Sequence, residues 1–313
     1  MSNALSSGLG GFSMKKMLLA FVVMVFASGL VFGSGLSGTF TQEFMNTREL
    51  ILDSLFIPVT ITGHSGVSCR IEAFDIPREV EVFIEEGNGS ISLRVQQQRN
   101  TSLPPGQRAR LVISLPAAAA CQLSSASGSF AVTGLSGPTL QIRSASGAVH
   151  CFDTAVPLDI QTSSGAISIS GSQRDTVLKS ASGAIKLERS QGDAVIEAIS
   201  GAITVENVNG AIKADSTSGA IAVRGFQGRL YLTSVSGRIS GSNLQLQGEG
   251  RFATTSGAID LDVLNQAADC RCTAVSVTGA IELFGNRGHN NMQLGSGSLR
   301  LELRTVSGQI KLY

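Results

Sequence analysis

Tryptophan is absent from this 313-residue chain, and tyrosine occurs only at Tyr231 and Tyr313. Aromatic platforms on which sugar rings or nucleobases stack are therefore scarce. Charged residues make up 15% of the chain, well below the usual share of about 25%, and the formal net charge is +1. No basic stripe with interleaved aromatics is present, which excludes a nucleic-acid-binding reading, and the balance implies no strongly acidic partner. Histidine occurs three times, at His64, His150 and His289. None has a second histidine or a carboxylate at ligand spacing, so each is expected on an exposed loop or strand and no metal or other cofactor is implied.

Five cysteines occur, Cys69, Cys121, Cys151, Cys270 and Cys272. Cys270-x-Cys272 has the wrong spacing for a zinc knuckle and is awkward for a local disulfide. Four of the five fall in an inward register derived below and read as buried small hydrophobes. Cys69 is left open, because a disulfide partner after export is not deducible from spacing. Long hydrophobic runs are also lacking, with one exception. Met14-Lys15-Lys16 precedes an apolar run from Met17 to Phe32, followed by Gly33, Ser34 and Gly35. Basic start, apolar middle and small residues are the signature of a secretory signal, with cleavage after Gly35. The run is shorter than the roughly 20 residues that span a bilayer; extended to Leu36 it also fits an uncleaved anchor. Met14 is as good an initiator as Met1.

Glycine is abundant, 36 residues against 7 prolines, and much of it is periodic. The phrase Ser-Gly-Ala-Ile-x-aliphatic, seen at Ser182-Gly183-Ala184-Ile185-Lys186-Leu187, recurs down the chain. Its glycines are Gly128, Gly147, Gly165, Gly183 and Gly201, then Gly219, Gly237, Gly257, Gly279 and Gly297, mostly 18 residues apart. Counting from each glycine, positions +2 and +4 are aliphatic, as in Ile185 and Leu187 or Ile203 and Val205. Positions +11 and +13 form a second pair, as in Leu158 and Ile160 or Leu230 and Leu232. Each unit thus carries two short strands with alternate residues facing inward. One unit cannot bury its own faces, whereas a stack can.

The predicted fold is therefore all-β, a parallel β-solenoid of roughly 18-residue coils preceded by a signal or anchor segment. About ten coils at about 4.8 Å make a rod on the order of 50 Å long. Residues 1–35 are assigned to the signal or anchor, 36–120 to irregular N-terminal coils or a cap, and 121–313 to regular repeats. Gly87-Asn88-Gly89 marks a turn, and Gly89-Ser90-Ile91-Ser92-Leu93 already has the shape of the repeat. The segment Gln96–Gln107, with Pro104-Pro105-Gly106, reads as an exposed loop. Glycines nine apart from Gly192 to Gly237 suggest a two-sided, flattened cross-section. Serines three and one before each glycine, such as Ser180 and Ser182, share the inward parity and are expected as a corner ladder. The final strand, Ile310-Lys311-Leu312, is expected as an open edge that is covered locally or used in self-association.

Arg110-Leu111-Val112-Ile113-Ser114-Leu115-Pro116, followed by repeated Ser-x-Ser-Gly-Ala-Ile-x-Leu, resembles the exported bacterial putative-adhesin family of β-solenoid domains of unknown function. The resemblance covers roughly Phe40 to Tyr313. It implies a bacterial envelope protein with a β-helical body, located outside the cytoplasm, and it supplies no catalytic motif. The functional expectation is a non-enzymatic structural or adhesive solenoid that binds an envelope protein or glycan and self-associates through its ends. Membrane contact is expected only through the N-terminal segment, if uncleaved. Two alternatives stand beside it. A carbohydrate-active β-helix would use the outward column of Lys179, Glu197 and Asp215 at +14, and an intracellular scaffold polymer would keep Met17–Phe32 intact.

Overall fold

The computed structural model of the chain describes residues 35–98 and 108–313; the apolar run Met17–Phe32 and the Pro104-Pro105-Gly106 stretch lie outside the described residues. The described strands form one connected sheet wound into a parallel β-solenoid. In each regular turn the chain contributes one short strand to each of two ladders. Thr176–Ser180 pairs in parallel with Leu158–Thr162 on one side and Ala194–Ala198 on the other. Ile185–Glu188 does the same with Ile167–Ser170 and Ile203–Ser216. Registers advance by one repeat, so Leu178 faces Ile160 and Ile196, and like stacks on like.

Alternation drives this arrangement. Ile185, Leu187, Ile203 and Val205 from one ladder and Ile160, Leu178, Ile196 and Leu232 from the other are buried in one continuous core. Each such side chain contributes about 1.5–3 kcal/mol by leaving water. In the central turns Ile203–Ser216 and Ile221–Ser234 run through both ladders without interruption. They bend at Gly210 and Gly228, which have φ of 146° and 139°. A Cβ at Gly210 would overlap the Gly192 carbonyl oxygen, and one at Gly228 that of Gly210. The glycines nine apart thus form a second corner column opposite the Ser-Gly corner.

The two ends depart from chain order. At the N-terminal end Glu49–Asp53 lies between Ser90–Gln97 and Ala120–Ser125, and Val59–His64 between Arg110–Pro116 and Phe130–Thr133. Gly38–Met45, Ser68–Ile76 and Val80–Gly87 add antiparallel strands to this end. Val80–Gly87 folds back on Ser90–Gln97 through Asn88 and Gly89, both in the left-handed region, and Ser68–Ile76 lies between Gly38–Met45 and Arg110–Pro116.

The C-terminal end repeats this device. The last strands, Leu299–Thr305 and Ile310–Leu312, slot between the turn of Ile239–Thr254 and Ile259–Val263 and that of Cys270–Leu283. Cys270–Leu283 is then closed by the antiparallel strand Asn286–Leu294. The expectation that Ile310-Lys311-Leu312 is an open edge is therefore corrected: both of its edges are paired. The outermost strand, Asn286–Leu294, carries Asn, Arg, His and glycine and has no buried residue, a composition that discourages edge-to-edge pairing.

Candidate functional site

The Ser-Gly corner is the most regular surface of the molecule. Its glycine column runs Gly128, Gly147, Gly165, Gly183, Gly201, Gly219, Gly237 and Gly257, then Gly308 and Gly279, each with its Cβ position against the carbonyl of the neighbouring turn. Gly297 lies outside it, against Asp269, and Gly308 occupies the turn after Gly257. The reason is the strand inserted at the C-terminal end, which breaks chain order where the spacing was read as one more repeat.

The residue three before each glycine is buried and hydroxylic in nearly every turn, including Ser144, Thr162, Ser180, Ser216, Ser234 and Thr254. Its hydroxyl ties the corner in two directions. Ser234 Oγ accepts from the Gly237 N–H at 2.8 Å and donates to the Gly219 carbonyl at 3.4 Å. Thr254 repeats this with Gly257 at 3.1 Å and Gly237 at 3.2 Å. Such bonds satisfy backbone groups that a sharp bend withdraws from the ladder. The serine one before each glycine does not join it. Ser146, Ser164, Ser182, Ser200, Ser218 and Ser236 are exposed, which corrects the expected inward facing. Positions −2 and −1 both point outward at the bend, so parity counted through the turn slips by one residue.

Beside this corner runs a groove of about 1050 Å³, parallel to the solenoid axis and extending from Asp53 to Val235. Its floor is the hydroxyl column. One wall is the column four before each glycine, in which Arg143, Gln161, Lys179, Glu197 and Asp215 stand on successive turns. Lys179 and Glu197 pair at 2.9 Å, and Asp215 pairs with Lys213 at 3.3 Å. Arg143 reaches out of the groove to Asp159 at 2.8 Å, and its hydrogen bonds hold that carboxyl below the usual carboxylate range. The other wall is the column two before each glycine, where backbone hydrogen bonds carry the ladder round the bend through Ala145, Ser163, Ala181, Ile199, Thr217 and Val235.

The structure brings Lys179, Glu197 and Asp215 together as one column. Glycoside cleavage needs two carboxyl groups flanking the scissile bond, whereas Glu197 and Asp215 stand on one wall, on adjacent turns, each matched by a lysine. The groove lining contains no histidine and no aromatic residue. His64 Nδ1 accepts from its own turn at Gly66 N, and the His150 ring stacks on Phe152 with centroids 6.4 Å apart. Among the described residues no group of three or more His, Cys, Asp or Glu could hold a metal, and no helix is long and apolar enough to cross a membrane.

All five cysteines, Cys69 included, are free and buried. Burial pushes the thiols of Cys69, Cys121, Cys151 and Cys272 up to about 12, which leaves them inert at neutral pH. The groove itself was not foreseen from sequence. Its only advance signal is the column two before each glycine, small in the first turns and β-branched in the later ones.

The family model Toastrack DUF4097 matches this chain over residues 76–191 and 153–313. No curated protein matches it. Similar solved structures include a "putative cell adhesion protein" from Clostridium sporogenes, 10% identical over 88% of this chain and 98% of that one, with a TM-score of 0.23. A "putative adhesin" from Bacteroides fragilis is 12% identical over 88% and 97%, with a TM-score of 0.35. A "putative lipid binding protein" from Parabacteroides distasonis is 14% identical over 85% and 98%, with a TM-score of 0.43.

Proposed function

The chain belongs to the Toastrack DUF4097 family, and from that premise we propose that it is a non-enzymatic, exported β-solenoid that acts as a structural or adhesive surface in the cell envelope. The observation that carries this reading is the division of labour between columns. Inward positions are nearly uniform from turn to turn and specify the coil, while outward positions such as Arg143, Gln161, Lys179, Glu197 and Asp215 vary and line one long groove. A surface of that kind offers extended contact rather than a reacting centre. Export rests on the basic and apolar segment Met14–Phe32.

Cell fractionation followed by capture of envelope components on the purified protein tests this. Recovery outside the cytoplasm, with enrichment of an envelope protein or glycan, is expected. Cytosolic recovery with Met17–Phe32 intact overturns it in favour of an intracellular scaffold.

A further inference from the structure

Among the described residues, four of the most exposed large apolar side chains lie in a single column. Ile199, Val235, Val306 and Val277 are 57%, 48%, 48% and 62% exposed. With Thr217 and Thr255 between them, they form an unbroken β-branched ridge along the last six turns of the corner. The same column in earlier turns reads Ala126, Ala145, Ser163 and Ala181. The groove wall is therefore low from Ala126 to Ala181 and high from Ile199 to Val235, and the ridge continues past the end of the groove through Thr255, Val306 and Val277. The facing wall changes sign at the same level, from Arg143 and Lys179 to Glu197 and Asp215.

We infer that this face pairs two copies of the chain side by side and antiparallel, about a two-fold axis that crosses the groove between the turns of Ala181 and Ile199. Three arguments select this partner and this direction. A column repeating at about 4.8 Å is matched along its length by another of the same period, which a second copy supplies. A two-fold reversing the rod direction keeps each wall against its counterpart. It sets Ile199 on Ala181 of the second copy, Thr217 on Ser163, Val235 on Ala145 and Thr255 on Ala126, so the first four residues of each ridge fill the low half of the other copy, and Val306 and Val277 lie beyond it. It also sets Lys179 against Glu197 of the second copy, twice, where the pairs inside each chain alternate with those between chains. The parallel two-fold instead lays the charged wall on the apolar one and desolvates its ion pairs with no charge of the second copy to meet them.

Among the described residues both end turns are covered by antiparallel strands, and the outermost strand at the C-terminal end is polar. The eight turns paired in this way make a strip roughly 40 Å long and roughly 10 Å wide, about 400 Å² on each copy. The total of about 800 Å² is that of a weak, transient pairing. Association in the micromolar range is the matching expectation.

The inference is independent of which envelope component the protein binds. Its test is disulfide trapping together with sedimentation. Ser163→Cys with Thr217→Cys places thiols opposite each other only across the antiparallel axis; within one chain they stand three turns, about 14 Å, apart, too far to bridge. The five native thiols are buried and do not compete. Under mild oxidation a covalent dimer is expected from this pair and not from Ala126→Cys with Thr217→Cys, which lies two turns out of register. Ile199→Lys, at an exposed position, is expected to weaken sedimentation-detected dimers at least tenfold while thermal unfolding of the monomer is unchanged. A wild-type protein that stays monomeric throughout the micromolar range overturns the proposal, as does equal trapping by both cysteine pairs.

Discussion

The middle of the stack and its two ends are built from the same turns laid down in different chain order. Between Ala120 and Thr254 each turn rests on the one before it, and pairing follows sequence. At each end one turn is passed over and filled from elsewhere. Near the N-terminus Glu49–Asp53 and Val59–His64 are overlaid by Ser90–Gln97 and Arg110–Pro116, and near the C-terminus Leu299–Thr305 and Ile310–Leu312 are inserted beneath Cys270–Leu283. A parallel stack leaves two open edges, and an antiparallel return is one way to turn an edge away from further parallel growth. Going past the next position and coming back lets one chain close its own end, so termination costs no separate capping helix.

The strongest way to break this comparison is to delete residues 299–313. In a stack laid down in strict order, the deletion trims a terminal turn. Here it removes an interior one and detaches Cys270–Leu294 from the body, because Leu299–Thr305 holds Cys270–Ser276 on one side and Glu249–Thr254 on the other. Calorimetry is expected to show a Tm fall of more than about 10 °C, with exchange protection lost throughout residues 270–294 and not merely at the new terminus.

A glycine pair comes next. At Gly183 in the body, a Cβ would overlap the backbone carbonyl of Gly165, which itself belongs to a rigid column. Gly183→Ala is expected to cost about 3 kcal/mol or more in denaturant unfolding. At Gly288 in the outermost strand, the nearest atom to a Cβ is the flexible Met292 sulfur, at 3.3 Å. Gly288→Ala is expected to cost less than about 1 kcal/mol. Equal costs would mean that the corner column is not what fixes the turns.

This difference also marks what could be read in the sequence. Inward columns were legible because Ile185, Leu187, Leu158 and Ile160 recur at fixed offsets and the period of a strand is two. Legibility failed at bends and at ends. Parity carried through the turn points Ser182 inward, but the bend spends two consecutive residues facing out. Gly297 was placed in the corner column because spacing cannot tell an inserted turn from an appended one. Groove walls are built from residues one turn apart in space, so they became visible only once the register was known; Lys179, Glu197 and Asp215 were foreseen as a column, but the ridge from Ile199 to Val277 was not.

Alkaline pH compares the regions through their thiols. A thiol whose pKa is raised in the folded state keeps its proton while the unfolded chain releases it. Its contribution is thus intact below the unfolded value near 8.5 and is lost as pH rises toward the folded one. Cys151, in the body, is pushed up to about 12 by burial alone. Between about pH 9 and 12 it is expected to cost about 1.4 kcal/mol for each pH unit. Cys151→Ala is expected to flatten the pH slope of unfolding free energy by about one proton. Cys270, in the C-terminal cap, is also raised by burial, but its hydrogen bond with Cys272 opposes part of that rise, so Cys270→Ala is expected to change the slope less. The reverse order would place the looser packing in the body.

The smallest effect concerns the one interruption of the hydroxyl column within the body, Ala198, which is buried where its neighbours Ser180 and Ser216 carry hydroxyls. Its turn therefore lacks the side-chain acceptor that Ser216 offers to Gly219 N–H at 2.9 Å. Ala198→Ser adds one oxygen at a position whose geometry is set by the turns above and below. The new hydroxyl would accept from Gly201 N–H and donate toward the Gly183 carbonyl, by analogy with Ser234. A gain of about 1 kcal/mol is expected, within the range of a net hydrogen bond, and Ser216→Ala is expected to lose a similar amount. If Ala198→Ser destabilises instead, glycine packing alone holds the corner and the hydroxyls only fill space. Loss of stability in Ser216→Ala without gain in Ala198→Ser would show that the bend between Ala198 and Gly201, the level at which the groove wall changes from low to high, has a geometry of its own.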